Sequence, residues 1–370
     1  MKGASFYELL NIQKNLQVVL DLTQNIYNNT HWKNYFQWGL PQVDTNFKAM
    51  EVDSEIAPMA SVISYGSGKP NIGADGVSFY GGSIPKIGLG MSIGEQEMRQ
   101  LMQLNDLQMP NFSGNSAAKE VLFTNVNKII QGTHARLNNF SDQALTTGKV
   151  ITTVDNNPQG IVISVDLRIP TGNKVKAGFA QSSPAAWTDE TNSDPVQDLY
   201  DMDEKSRDEF RPIELFLMSK TLWKKFVKHP KVMDFARRNI IGISSTYAIT
   251  PDDVKNALSR WGLPPIVVVD EKQRVYVDGL GTAASGWDDD IVVGATLGNL
   301  GVMNNAISMH TLAPSTTTDF RTTTENGRFS ILNHWDSELL INTITLETLA
   351  VPTFNNPKRI YQLDTATAHS

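Results

Sequence analysis

Cysteine is missing altogether from the 370 residues. Disulfides, thiolate metal sites and cysteine nucleophiles are thereby excluded, and nothing calls for an oxidising compartment. Aromatic residues are sparse at 8%, and no apolar run approaches the length of a membrane span. The first residues, MKGASFYELLNIQKNL, lack an uninterrupted apolar core and a small-residue cleavage site. The expectation is a soluble protein made and used in cytoplasm, with no membrane partner. The glycosylation-type triplets at Asn28, Asn111 and Asn139 are then accidental. A net charge of −7 argues against a dedicated nucleic-acid binder, because phosphate contacts need clustered Lys and Arg. DNA beside this protein would be contained and not gripped.

Catalytic patterns are missing too. There is no GxSxG elbow and no GxxxxGK loop, so acyl transfer and nucleotide hydrolysis have no foothold. In the run Gly88, Gly90, Gly94 the third glycine falls one residue late for a dinucleotide loop. The six histidines, His31, His134, His229, His310, His334 and His369, show no ligand spacing, and most read as surface or capping residues by default. Asp288, Asp289 and Asp290 lack the spacing of a calcium loop and read as a solvated acidic turn. Trp223, Lys224, Lys225, Phe226 and Lys228 could stack on a nucleic-acid strand, but an amphipathic helix with its lysines in water is the commoner meaning. No cofactor and no metal is expected. An enzyme would have to be built from dispersed carboxylates such as Asp166, Asp198 and Asp201, residues that more often form hydrated surface.

What the chain does possess is one very long amphipathic stretch. From Ser116 to Val150, Leu122, Val126, Ile129, Ile130, Leu137, Phe140 and Ala144 recur at three- and four-residue steps, so a single helix carries an apolar stripe along most of its length. At about 1.5 Å per residue it spans roughly 45–50 Å, longer than a small domain is wide. Gly148 stands where a left-handed C-terminal residue belongs. Strands follow at 149–154 and 161–167, Ile161, Ile163, Val165 and Leu167 sharing one face.

Before the strut, residues 5–27 place Leu9, Ile12, Leu16, Val19 and Ile26 along one seam of an arm helix, followed by the aromatics His31, Trp32, Tyr35, Phe36 and Trp38. The seam can pack on its own domain or on a neighbouring subunit, and the aromatic cluster favours the second. From Val43 to Gly90, short alternating pieces joined by YGSGKPNIGADG spell a long two-stranded hairpin, which needs cover from elsewhere. Ser92 and Glu95 have capping-box spacing ahead of Met98, Leu101, Met102 and Leu107.

After the strut, residues 171–201 read as a polar crossing between lobes, and a second lobe begins near Pro212. Helices are expected from Thr221, capped by Ser219, from Pro230, and from Pro251 behind a Thr250 cap, the last with Val254, Leu258 and Trp261 on one face. Strands are expected at 266–269, 274–277, 291–295 and 340–347, the last ending at Pro352. The polar segment Thr311 to Asn326 reads as a surface loop.

The strut sequence AAKEVLFTNVNKIIQGTHARLNNFSDQALTTGKVITTV resembles the spine helix and following strand of tailed-bacteriophage major capsid proteins of the lambda coat type, the major capsid protein E family. The resemblance continues in order through KIGLGMSIGEQEMRQLM, GIVISVDLRIP, PAAWTDETNSDPVQDLYDM, TLWKKFVKHPKVMDF and DEKQRVYVDGLGTAASGWDDDIVVGATLGNLGV. It implies an α+β, Hong Kong 97-like subunit: N-terminal arm (1–42), extended hairpin loop (43–91), peripheral domain with spine helix (92–170), axial domain (171–330) and a return strand (331–370). It further implies pentamers and hexamers of one chain enclosing double-stranded DNA inside a virion, with scaffold, decoration and portal proteins as partners. Candidate assembly residues are Leu9, Leu16, Val19, Trp32, Tyr35, Phe36, Lys69, Phe79 and Tyr80. Lys69 and Lys86 are the hairpin lysines that could crosslink, although such lysines commonly only solubilise. A nanocompartment shell of the encapsulin type is the alternative with the same fold.

Overall fold

The computed structural model describes residues 30–52, 77–106, 108–109, 112–157, 160–239, 248–270, 273–277, 280–284, 286–312 and 319–369. In chain order the strands and helices begin with β1 (Phe36–Gln42), β2 (Asn46–Val52), β3 (Val77–Ser83), β4 (Lys86–Ile93), α1 (Glu95–Asp106), β5 (Gln108–Met109) and β6 (Phe112–Ser113). The long α2 (Gly114–Thr147) leads into β7 (Lys149–Thr152), β8 (Ile163–Asp166), β9 (Lys174–Ala177) and α3 (Pro195–Asp208). Then come β10 (Leu215–Ser219), α4 (Lys220–Lys228), α5 (Pro230–Asn239), α6 (Pro251–Arg260), β11 (Ile266–Val269), β12 (Gln273–Val277), β13 (Leu280–Ala284) and β14 (Ile291–Ala295). The chain closes with β15 (Gly301–Ala306), α7 (Met309–Leu312), β16 (Asp319–Thr324), β17 (Phe329–Asp336), β18 (Ile341–Phe354) and β19 (Tyr361–Ala368).

Two compact units share these elements. Unit one comprises Met1–Phe47, Ser83–Phe140 and Met303–Pro352; unit two comprises Lys48–Gly82, Ser141–Val302 and Thr353–Ser370. The chain thus re-enters unit one at Met303.

Unit one is built on a sheet of order β1-β15-β18-β17-β16, with β4 also on β18. β4 and β17 both run antiparallel to β18, Leu346 facing Leu89 on one side and Ile331 on the other. Gly88 and Gly90 are therefore ladder residues, not a phosphate loop. Ser92 lies in β4 as well, its hydroxyl 3.1 Å from that of Thr343, so α1 starts at Glu95 and not behind a Ser92 cap. The segment read as a Thr-rich surface loop supplies the edge strand β16, paired in register with β17 from Asp319↔His334 to Thr324↔Phe329. Its β-branched threonines suit a pleated surface better than a loop. β18 runs through Pro352 to Phe354, two residues beyond the expected stop.

Unit two holds a sheet of order β11-β10-β14-β19-β9, in which β10–β11 and β19–β9 are parallel and the other pairs antiparallel. Every residue of β10 is buried. Helices α3 to α6 bring Leu199, Leu222, Phe226, Val232, Val254 and Leu258 into one apolar cluster with Phe216 and Val292, each such burial contributing about 1.5–3 kcal/mol. Ser219 caps α4 through Leu222 N at 3.0 Å. Thr250 and Asp253 form a full capping box ahead of Pro251. Trp261, expected on the packed face of α6, sits at the C-cap, 58% exposed.

The supposed crossing at 171–201 contains β9 and the start of α3. Asp194 accepts from Gln197 N at 3.2 Å, and Pro195 opens the helix. Asp198 is fully buried there, accepting from Gly178 N (2.8 Å), Gln181 Nε2 (2.8 Å) and Trp187 Nε1 (2.7 Å). At α2 the end is as read: Gly148 has φ +71°, donates to Ala144 O at 3.1 Å, and Lys174 Nζ takes Thr147 O at 2.9 Å.

Candidate assembly surfaces

The aromatic segment that opens the described chain turns inward. Trp32, Tyr35 and Phe36 are 0%, 7% and 1% exposed. Trp32 N donates to Asn138 Oδ1 at 3.1 Å and its Nε1 donates to His134 Nδ1 at 3.3 Å, the two rings stacked 6.4 Å apart. Trp38 meets Trp32 and Phe329 edge-on, at 4.8 and 5.9 Å, and Lys33 Nζ pairs with Glu325 at 3.0 Å. The cluster read as an exposed contribution to a neighbour is thus spent inside its own subunit. Side chains from α2, β17 and the turn before it offered these rings a more complete burial than a terminal arm could. They fasten the chain at residue 32 to the middle of α2.

His134 follows from this packing. It is 2% exposed, not a surface residue, and burial, reinforced by Lys33, lowers its pKa to about 3. Accepting from Trp32 at Nδ1 fixes the neutral ring with its proton on Nε2. His229 is buried as well, bonded through Nε2 to Ser193 at 3.1 Å, and burial lowers its pKa.

β2 and β3 form a separate two-stranded sheet. Tyr80, another candidate, is 4% exposed: its hydroxyl donates to Phe354 O at 3.4 Å and Arg168 lies over its ring at 5.5 Å. It too is held within its own chain. Leu9, Leu16, Val19, Lys69 and the side chain of Phe79 lie outside the described residues. Lys86 is not in the β2–β3 hairpin but in β4, where it pairs with the buried Glu347, which also accepts from Ser308.

Sequence reasoning missed the residues that are bare. The turn between β7 and β8 carries Val154, Ile161 and Val162 at 70%, 69% and 65% exposure. That turn is ordered by Asn156, whose Oδ1 accepts from Thr153 N at 2.8 Å and whose Nδ2 donates to Ile151 O at 3.1 Å. Leu40 and Val43 at the end of β1, Leu339 before β18, and Met309 on α7 are at least as exposed as Val162. Scattered exposed apolar side chains are ordinary; Val154, Ile161 and Val162 are three β-branched ones that fall close together in sequence between β7 and β8. The signal was available in DNNPQGIV, where apolar residues follow a turn sequence directly.

Among the described residues no His, Asp or Glu cluster could hold a metal ion, and no helix is long and apolar enough to cross a membrane. Asp198 is consumed by its three donors, while Asp166 is exposed. Asp288 and Asp289 are exposed, and Asp290 pairs with Lys225 at 3.1 Å. On α4, Trp223 and Phe226 are buried and the lysines are exposed, an amphipathic helix.

A long helix, a separate two-stranded ribbon and a helix-flanked mixed sheet define a Hong Kong 97-like capsid subunit. The same fold is found in the crystal structure of a phage-related protein from Bordetella bronchiseptica RB50, with TM-score 0.52 and 15% identity over 94% of this chain and 97% of that one. It is found again in a structure described as the capsid protein of a prophage of E. coli CFT073, with TM-score 0.55 and 14% identity over 95% and 98%. No curated protein matches the sequence. The sequence model of phage major capsid protein E matches residues 23–324, and the chain belongs to that family. It is a structural subunit of a multimeric viral shell and a virion component, not an enzyme. The family does not favour the nanocompartment alternative.

Proposed function

We propose that copies of this chain form pentamers and hexamers that close around double-stranded DNA, assembling in the host cytoplasm with scaffold, decoration and portal proteins as partners. Residues 1–42 act as the arm, 43–91 as the extended loop, 92–170 as the peripheral domain, 171–330 as the axial domain and 331–370 as the returning strand. Leu9, Leu16 and Val19 on the arm, with Lys69 and Phe79 on the loop, meet neighbouring copies. Many such contacts, each weak alone, sum to a stable closed surface.

The observation that carries this reading is the set of bare apolar side chains between β7 and β8. Complete cover would stabilise an assembly by about 1.5–3 kcal/mol per side chain, and a repeated subunit provides that cover without another protein. The net charge of −7 supports a lining that contains DNA without binding it tightly. Expression of the chain alone, and with the proteins encoded beside it, followed by negative-stain microscopy tests the proposal. Rings of five and six, or closed shells, are the expected result; dispersed monomers under both conditions would refute it.

A further inference from the structure

A recess of about 250 Å³ in unit two is bordered by Thr296, Asn299, Leu300, Asn355, Asn356 and Arg359. It forms where the chain leaving β14 meets the chain leaving β18, joined by Asn355 N donating to Leu300 O at 3.0 Å. Its polar complement includes a guanidinium and amides. Asn299 Oδ1 already accepts from Gly301 N at 3.2 Å, and Asn356 Oδ1 from Lys358 N at 3.1 Å. Each oxygen is thus already engaged once, while the NH₂ group of each amide remains to be offered. Arg359 has donors alone and no ion-pair partner among the described residues, and its Nε is shielded from solvent without a hydrogen bond. No carboxylate borders the recess.

A guanidinium and amide donors, in a concavity with room for a few waters and no carboxylate of its own, suit a ligand that accepts. We infer that this recess is an oxyanion site that takes a carboxylate, held by the Arg359 guanidinium and the Asn299 and Asn356 amides. Two sources share that chemistry: an acidic side chain of a second copy, drawn from the 39 Asp and Glu residues of the chain, and a free small carboxylate. The site itself rests on the recess and not on the shell reading.

Thermal unfolding of the full chain, as unassembled subunits, tests the site with acetate and glutarate titrated against chloride at constant ionic strength. A saturable rise in Tm of about 2–4 °C at tenfold excess over Kd is expected, absent in Arg359→Gln. Should that variant fail to fold, Asn355→Asp serves: Asn355 is exposed, and a carboxylate fixed at the rim should abolish the response. Equal responses in wild type and Asn355→Asp, or no response in wild type, would overturn the inference. Repeating the titration on assembled particles separates the sources. No response from particles means that a neighbour's carboxylate already fills the recess; an undiminished response means that the site takes the free anion. Either result presupposes the response of the subunits.

Discussion

Two buried titratable residues make opposite demands. His134 is held neutral with its pKa lowered to about 3 by burial and then by Lys33, whereas an unfolded histidine titrates near 6.5. Between those values the unfolded chain binds a proton that the native one refuses, so stability contributed at His134 is lost as pH falls below about 6.5. Acidifying from pH 7 to 5 should weaken unit one by about 2 kcal/mol, read as roughly thirtyfold faster hydrogen exchange, after correction for intrinsic rate, at α2 amides flanking His134. Unchanged protection would contradict the assignment. Asp198 behaves in the reverse sense: burial raises its pKa to about 6 despite the Trp187 and Gly178 hydrogen bonds, so the native chain keeps a proton that the unfolded one has released between about pH 4 and 6. Stability then falls as pH rises through that window. Trp187→Phe deletes a donor to the charged carboxylate and should cost about 1–3 kcal/mol at pH 7. The cost should be smaller at pH 5, where the group is protonated; an equal cost by denaturant titration would show that the ring, not the hydrogen bond, matters.

At the scale of elements, the end of α2 is the most exacting point. Gly148 combines φ +71° with Ile169 Cδ1 only 3.1 Å from where a Cβ would stand. Gly148→Ala should therefore lower stability by about 1–2 kcal/mol, from backbone strain plus a tight contact, whereas an exposed α2 site such as Gln131→Ala should be near neutral. Equal effects would remove the cap argument. The helix itself was legible because its stripe recurs over about six turns, and α4, α5 and α6 because Ser219, Pro230 and Thr250–Pro251 punctuate them. α1 was misread at its start because Ser92 and Glu95 have capping-box spacing by coincidence, while β18 claims Ser92 as a ladder partner. The start of α3 carried an Asp194–Pro195 signal that the surrounding polar residues obscured. β19 was overlooked because YQLDTATA alternates only weakly, and its burial comes from β14 and β9, far away in sequence. The aromatics at 32–36 were recognised as unusual but assigned outward, since one sequence cannot say that His134, Asn138 and Phe329 stand ready to receive them.

For the whole molecule, the account requires that some surface matter for assembly and not for folding. The β7–β8 connection is the sharpest case, because Val154, Ile161 and Val162 are bare in the subunit. Val154→Asp and Ile161→Asp should leave Tm within about 1–2 °C of wild type, since exposed substitutions change stability by roughly 0.5 kcal/mol or less, yet should reduce assembled mass severalfold. Charged replacements of Leu16 and Val19 should likewise weaken assembly more than they lower Tm; equal losses would place the arm in its own core. Sedimentation velocity on the purified full-length chain, wild type beside the Val154→Asp/Ile161→Asp double variant, tests the central claim most directly. Wild-type protein sedimenting as pentamer- and hexamer-sized rings or larger shells, with the variant retained as a folded monomer, is the result expected of a subunit completed by its own copies. A wild-type chain that stays monomeric at every concentration, both alone and with the proteins encoded beside it, or a variant that assembles as well as wild type, would contradict it.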